Sequence, residues 1–167
     1  SLHDALPIYA ENQVGVENDK MDGFIPKKGI VAEIIDFNIL NVKNEKVDEV
    51  YYDETVKIQI VYDVYDEKIK YPVMGVAIRG CDDKYINGLN TLLDKKAISW
   101  KYGRNIMELE YVDGILALGG RYYFDVALYE QTATVPIQYI SKVKEFNVKA
   151  NYDGEGVYII PHRWRNR

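Results

Sequence analysis

The chain has 167 residues, which is enough for one domain with a sizeable hydrophobic core. Its 26 acidic residues outnumber its 21 basic residues, and the net charge of −5 argues against nucleic-acid binding, which needs a basic face. The lone Cys81 excludes an internal disulfide, and no apolar run of about 18 residues or signal peptide is present, so the sequence predicts a cytoplasmic protein or a fragment of one.

Residues 1–28 differ from the rest of the chain. Within them the stretch Glu11–Lys20 is polar and shows no hydrophobic period, and the segment ends near Pro26-Lys27-Lys28-Gly29. We predict a linker or an added extension over residues 1–28, and one domain over residues 29–167.

From Gly29 onward, short runs rich in Val, Ile and Tyr alternate with turn signals, which is typical of strands. Turn signals lie at residues 44–45, 82–83, 87–88, 113–114, 119–120 and 153–154. About eight strands without a capped helical pattern predict an antiparallel two-sheet β-sandwich. The predicted strands are Ile30–Leu40, Thr55–Tyr65, Pro72–Arg79, Asn105–Val112, Arg121–Tyr129, Lys142–Lys149 and Gly156–Ile160.

The outward face of the predicted sheets combines small residues with polar and aromatic ones. Gly75, Ala77 and Ala127 would leave a trough in the middle of a sheet face. Such a mixture suits a sugar, because polar side chains bond its hydroxyls and aromatic faces pack on its C–H side. The candidate sugar-binding residues are Lys57, Gln59, Arg79, Tyr123, Asp125 and Tyr129, with possible loop contacts from Asn87, Asn90 and Trp100.

Motifs of catalysis and cofactor binding are missing from the sequence. It has no phosphate-binding P-loop and no Gly-x-Ser-x-Gly elbow, and its two histidines, His3 and His162, stand at opposite ends. We therefore predict a non-catalytic domain without a cofactor or a zinc site. Calcium binding by loop aspartates stays open, as does glycoside hydrolysis by Asp63 and Asp125, which both point outward by strand parity.

Four segments in register resemble the C-terminal carbohydrate-binding domain of the ATPase subunit of bacterial polysaccharide ABC exporters, the Wzt type that serves O-antigen export. The resemblance covers residues 29–164. Its segments are Pro72-Val-Met-Gly-Val-Ala-Ile-Arg79, Asn87-Gly-Leu-Asn-Thr-Leu-Leu93, Gly119-Gly-Arg-Tyr-Tyr-Phe-Asp-Val-Ala-Leu-Tyr129 and Gly156-Val-Tyr-Ile-Ile-Pro-His-Arg-Trp164.

The resemblance implies an immunoglobulin-like sandwich that recognises the finished, often capped, end of a lipid-linked polysaccharide. It implies that binding couples chain completion to export by an ATPase domain and a membrane-spanning subunit at the inner face of the cell membrane. It further implies a homodimer that exchanges the C-terminal strand, here Gly156 to Trp164. The residues themselves leave open a different function, in which the Tyr-rich face of the sandwich docks a partner protein.

Overall fold

Residues 23–167 are described by the structure, a computed structural model, and they form two β-sheets packed face to face. Most of the predicted linker, residues 1–22, lies outside this described range. The strands are β1 (Ala32–Leu40), β2 (Glu49–Tyr51), β3 (Val56–Val64), β4 (Val73–Gly80), β5 (Tyr85–Asn90), β6 (Gly103–Tyr111), β7 (Gly120–Tyr129) and β8 (Pro136–Lys149).

The strands divide into a three-stranded sheet of order β1-β3-β6 and a five-stranded sheet of order β2-β8-β7-β4-β5. Strands β2 and β8 run parallel, whereas the other pairs are antiparallel. The described residues contain eight strands and no helix. The predicted all-β sandwich is confirmed.

The core lies between the sheets because each strand alternates apolar and outward-facing residues. In β3, Val56, Ile58 and Ile60 are at most 1% exposed. Aromatic rings join the two layers: Phe124 of the five-stranded sheet stacks on Phe146 of β8 with a centroid distance of 4.4 Å and lies 5.3 Å from the Phe37 ring of β1. These ring contacts hold the two sheets together, so each sheet has one face in the core and one outward face on which a binding site can form.

The turn predicted at Asn87-Gly88 is wrong, because both residues lie inside β5. Gly88 pairs with Ala77 of β4, and a register shift between Ile78 and Arg79 accompanies this short edge strand. The Tyr85 hydroxyl lies over Gly88, where a Cβ would overlap it. Gly88 therefore leaves space for the Tyr85 ring within β5, and it does not form a hairpin turn.

Strand β8 begins at Pro136, six residues before its predicted start. A bulge interrupts its alternation: the pairing with β7 shifts between Phe124 and Val126, and Lys142 has a φ of 52°. The two-residue period is lost at the bulge, so the sequence pattern shows only the second half of the strand.

The predicted closing strand Gly156–Ile160 is reduced to one bridge, between Ala117 and Tyr158 of the same chain. Two hydrogen bonds flank the bridge, from the Leu118 N–H to the Val157 carbonyl at 2.9 Å and from the Ile159 N–H to the Leu116 carbonyl at 2.8 Å. Beyond it the chain leaves the sandwich, and Trp164 is 92% exposed.

Residues just before β1 pack on the three-stranded sheet. The Phe24 ring stacks on Tyr65 at a centroid distance of 5.6 Å and meets the edge of Tyr102 at 5.5 Å. Lys27 pairs with Glu33 at 2.5 Å. The described end of the predicted linker is thus in contact with the sandwich.

Candidate functional site

A groove of about 320 Å³ runs along the outer face of the five-stranded sheet. Its floor consists of small residues from three neighbouring strands. Gly75 of β4 pairs with Ala127 of β7, and Ala77 of β4 pairs with Gly88 of β5. Side chains of this size leave the backbone of the three strands close to the surface. The trough predicted from Gly75, Ala77 and Ala127 is confirmed as a feature of the structure.

Tyrosine rings and one leucine form the walls of the groove. Tyr85 of β5, Tyr129 of β7 and Tyr139 of β8 line it, together with Leu93 from the loop after β5. Tyr85 is 61% exposed and Leu93 71% exposed, so their apolar surfaces face solvent at the rim. Asn90 also lines the groove, and its Oδ1 accepts a hydrogen bond from the Leu93 N–H at 2.8 Å, which orients the amide.

A buried carboxylate, Asp125, lies at one end of the groove and is only 1% exposed although it faces outward. The Arg79 Nε donates to its Oδ2 at 2.6 Å, and the Tyr139 hydroxyl donates to the same oxygen at 2.5 Å. The N–H of Lys142, at the β8 bulge, donates to Oδ1 at 2.8 Å. The bulge therefore turns one backbone donor onto the carboxylate and ties β4, β7 and β8 together.

The hydrogen bonds keep Asp125 ionised. Burial alone would raise the pKa of Asp125, but the Lys142 N–H, the Tyr139 hydroxyl and the Arg79 guanidinium outweigh burial and hold that pKa below its usual range. Burial, and then the hydrogen bond to Asp125, raise the pKa of the Tyr139 phenol. Tyr139 consequently remains a protonated donor beside a carboxylate.

Side chains at the rim of the groove pair with one another. The Arg79 guanidinium also lies over the Tyr85 ring, 5.4 Å from its centroid. Lys142 Nζ pairs with Asp83 at 2.8 Å and lies 5.0 Å from the centroid of Tyr123. These contacts connect β8 with the β4–β5 turn.

The structure brings part of the predicted site together. Asp125, Tyr129 and Asn90 line the groove, whereas Arg79 and Tyr123 lie beyond its Asp125 end on the same face. These positions follow from strand parity in β4 and β7, as the sequence indicated.

Lys57 and Gln59 do not belong to this face. Both lie on β3, in the three-stranded sheet, where Lys57 donates to Asn44 and Gln59 accepts from Asn38. Their predicted place beside Arg79 and Asp125 is wrong, because alternation along a strand tells which residues face outward but not which sheet the strand joins.

Two of the three predicted loop contacts, Asn87 and Trp100, are also outside the groove. Asn87 pairs with Ile78, whose side chain faces the core, and Trp100 packs partly buried against the core. Neither residue lines the groove. Asn87 lies within β5 rather than in a loop, and Trp100 contacts the core rather than the groove.

Asp63 and Asp125 cannot act as a pair of catalytic carboxylates, because they lie on the outer faces of different sheets. Each is instead the buried partner of an arginine. Arg104 holds both oxygens of Asp63, at 2.8 and 2.9 Å, and Asp63 is 1% exposed. A glycosidase needs both carboxyl groups beside the same glycosidic bond, so the hypothesis of hydrolysis by Asp63 and Asp125 is wrong.

Sequence reasoning missed three walls of the groove, Tyr85, Leu93 and Tyr139. Tyr85 lies on β5, whose sequence resembles a loop, and Tyr139 lies before the bulge, in the part of β8 without a clear period. The abundance of tyrosine, 15 in the chain, was the signal that could have pointed to them.

A model of the Wzt C-terminal domain family matches residues 31–160, most of the described sandwich. The chain belongs to the Wzt C-terminal domain family. The crystal structure of the C-terminal domain of Wzt superposes with a TM-score of 0.72 at 14% identity, covering 96% of this chain and 95% of that one. At this identity the match shows that the two share a fold.

A second solved structure, the Pseudomonas fluorescens alkylpurine DNA glycosylase AlkC bound to DNA containing an abasic site analog, matches with a TM-score of 0.49 and 13% identity. That match covers 73% of this chain and 31% of the glycosylase. No protein with a curated description matches the sequence.

Membership of the Wzt C-terminal family is consistent with a non-catalytic domain of an O-antigen ABC exporter. Over residues 23–167, no helix is long and apolar enough to cross a bilayer. The same residues contain no cluster of three or more His, Cys, Asp or Glu side chains arranged to hold a metal ion.

Proposed function

We propose that this Wzt C-terminal domain binds carbohydrate in the groove of the five-stranded sheet. The observation that carries the proposal is the groove itself: a floor of small residues between three tyrosine walls, with a hydrogen-bonded carboxylate at one end. A sugar ring presents apolar C–H patches and hydroxyl groups, and this surface offers a partner for each.

The floor and walls would fit the ring of a sugar. Gly75, Ala77 and Ala127 let the ligand approach the strands closely, and the exposed rings of Tyr85 and Tyr139 can pack on its C–H faces. The Asn90 amide, which lines the groove, would bond hydroxyl groups of the sugar. Asp125, only 1% exposed, would act indirectly by holding the Tyr139 hydroxyl in place.

In its natural setting the bound sugar would be the finished end of a lipid-linked polysaccharide. Family membership supports this proposal, in which binding couples completion of the chain to export. Residues 29–167 would form the binding domain, and residues 1–28 the connection to an ATPase domain. The domain would then lie at the inner face of the cell membrane beside the exporter subunit that spans it.

We further propose a homodimer in which the segment from Gly156 to Trp164 pairs with a second copy. In the single chain this segment forms only one bridge, and Ile160 and Trp164 are 75% and 92% exposed. Deleting residues 156–167 should convert a dimer into a monomer or an aggregate, as measured by light scattering after size exclusion. An unchanged dimer would contradict the exchange.

The sugar-binding proposal is tested by calorimetric titration with oligosaccharides released from the source organism's cell-surface polysaccharide. We expect binding by the native chain and a loss of about tenfold or more for Tyr85→Ala, which removes a wall of the groove. Tyr51→Ala is the matched control, since Tyr51 is 48% exposed on β2 at the opposite edge of the same sheet.

Two outcomes would contradict the proposal. Absence of any heat of binding by the native chain would argue against a carbohydrate ligand. Equal losses for Tyr85→Ala and Tyr51→Ala would argue against this groove.

The alternative function, docking of a partner protein, has its own test. If a protein binds the Tyr-rich face and the oligosaccharides fail to displace it, the domain instead docks a protein partner.

A further inference from the structure

The charges around the groove restrict the class of sugar that it can accept. Among the described residues that line it, Asp125 is the single charged side chain, and no lysine, arginine or histidine joins it. A groove that selects an acidic ligand normally presents a free arginine or lysine, which bonds a carboxylate or phosphate.

The cations nearest the groove already have partners. Arg79 pairs with Asp125 at 2.6 Å, and Lys142 pairs with Asp83 at 2.8 Å. Lys84, in the β4–β5 turn, pairs with Asp82 at 3.2 Å. Each positive charge at this end of the groove is therefore matched by one negative charge.

Asp125 offers an anionic ligand no attraction, because its charge is already balanced. Its pKa lies below the usual range because the Lys142 N–H, Tyr139 and Arg79 outweigh the effect of burial, so it remains charged at neutral pH and paired with Arg79. An anion placed in the groove would lose part of its hydration without gaining a free cation in return, which is unfavourable in a partly desolvated site.

The groups that are free to bind a ligand are neutral. Within residues 23–167, the hydroxyls of Tyr85 and Tyr129 and the Nδ2 amide of Asn90 line the groove and make no hydrogen bond to protein. Such groups bond sugar hydroxyls without adding charge. Apart from Asp125, the rest of the lining consists of aromatic rings, aliphatic residues and small residues, which favour an uncharged ligand surface.

We propose that the groove selects an uncharged sugar residue, a neutral hexose or deoxyhexose, over a uronic acid or a phosphate-bearing sugar. This inference rests on the proposed carbohydrate binding and adds the chemical class of the ligand. The selectivity arises because no free cation lines the groove and the neighbouring cations are paired with carboxylates.

Matched glycan pairs test this selectivity on the full chain. The array carries oligosaccharides that end in glucose or glucuronic acid and in mannose or mannose 6-phosphate, together with the source organism's polysaccharide. We expect neutral members to bind about tenfold or more tightly than their anionic partners, and their binding to change little between low and high salt.

Leu93→Lys provides a second test that does not disturb the fold, because Leu93 is 71% exposed at the rim. The added cation should raise the ratio of binding of the glucuronate and mannose 6-phosphate probes to binding of their neutral partners. Leu93→Met, which keeps the side chain uncharged, is the matched control and should not alter the preference.

The results separate this inference from the proposed function. Equal or tighter binding of the anionic members by the native chain would overturn the selectivity while carbohydrate binding stands. Binding to none of the array members and none of the source polysaccharide would overturn both.

Discussion

Replacing Asp125 with alanine should destabilise the sandwich far more than an ordinary outward-facing substitution. The carboxylate is 1% exposed and receives close hydrogen bonds from β4 and β8, through Arg79, Tyr139 and the Lys142 N–H. Its loss removes the group that joins three neighbouring strands and leaves the backbone N–H at the bulge without its acceptor.

The size of the effect follows from burial. Removing one partner of a buried ion pair costs about 3–5 kcal/mol of unfolding free energy. The Arg79 side chain is 27% exposed and can turn towards water once the pair is broken, so the lower end of the range applies. We expect a loss of about 3 kcal/mol for Asp125→Ala.

Urea denaturation followed by tyrosine and tryptophan fluorescence measures this loss. With a slope of about 2 kcal/mol per molar, the midpoint should fall by about 1.5 M. The matched control is Glu145→Ala, on the same sheet face, where the pair with Arg121 is 3.5 Å long and both side chains are more than half exposed. Its cost should stay below about 0.5 kcal/mol.

If the urea midpoint of Asp125→Ala lies within about 0.3 M of the Glu145→Ala midpoint, with the same slope in both, the reasoning is refuted. The carboxylate would then contribute no more than a solvated surface charge, and the bulge would not depend on it.

Three further predictions concern single groups. The Tyr111 hydroxyl is buried with no hydrogen-bond partner among residues 23–167, so Tyr111→Phe should leave stability unchanged or raise it by up to about 1 kcal/mol in thermal melts. By contrast, Tyr122→Phe removes a 2.6 Å bond to a backbone carbonyl and should cost about 1 kcal/mol; equal effects would contradict the assignment. The pKa of Asp125 is lowered by folding, so its contribution is present above the ordinary carboxyl value of about 3.9 and is lost as the pH falls through the lowered value. The gap in urea midpoint between the native chain and Asp125→Ala should therefore narrow as the pH falls below about 4, and a gap that does not narrow on further acidification would contradict this. Gly114→Ala should cost more than about 2 kcal/mol, because φ is +84° and a Cβ would meet backbone carbonyls, whereas Gly29→Ala, at φ +80° in open space, should cost about 1 kcal/mol; equal costs in urea melts would show that the clash is relieved.

The sandwich and the floor of the groove could be predicted because both depend on a local two-residue period. Alternation in β3 and β7 identifies the buried residues, and the small size of Gly75, Ala77 and Ala127 shows directly in the sequence. Which strands share a sheet is a long-range property. Lys57 and Asp125 have the same outward parity, and nothing in their neighbours shows that they lie on different layers.

The missing parts of the site depend on irregular backbone. The Lys142 bulge hides half of β8 and with it Tyr139, and the register shift in β5 places Tyr85 over a glycine that reads as a turn. The burial of Asp125 could not be predicted either, since it requires a donor from the bulge and an arginine from the neighbouring strand at the same carboxylate.

Mapping amide chemical shifts on the isotopically labelled chain tests the central claim most directly. On titration with oligosaccharides from the source organism's polysaccharide, the account predicts the largest changes at Ala77, Ala127 and Tyr85, in the groove of the five-stranded sheet. Changes confined to Lys57, Gln59 and their neighbours on the three-stranded sheet, or no changes at all, would contradict it.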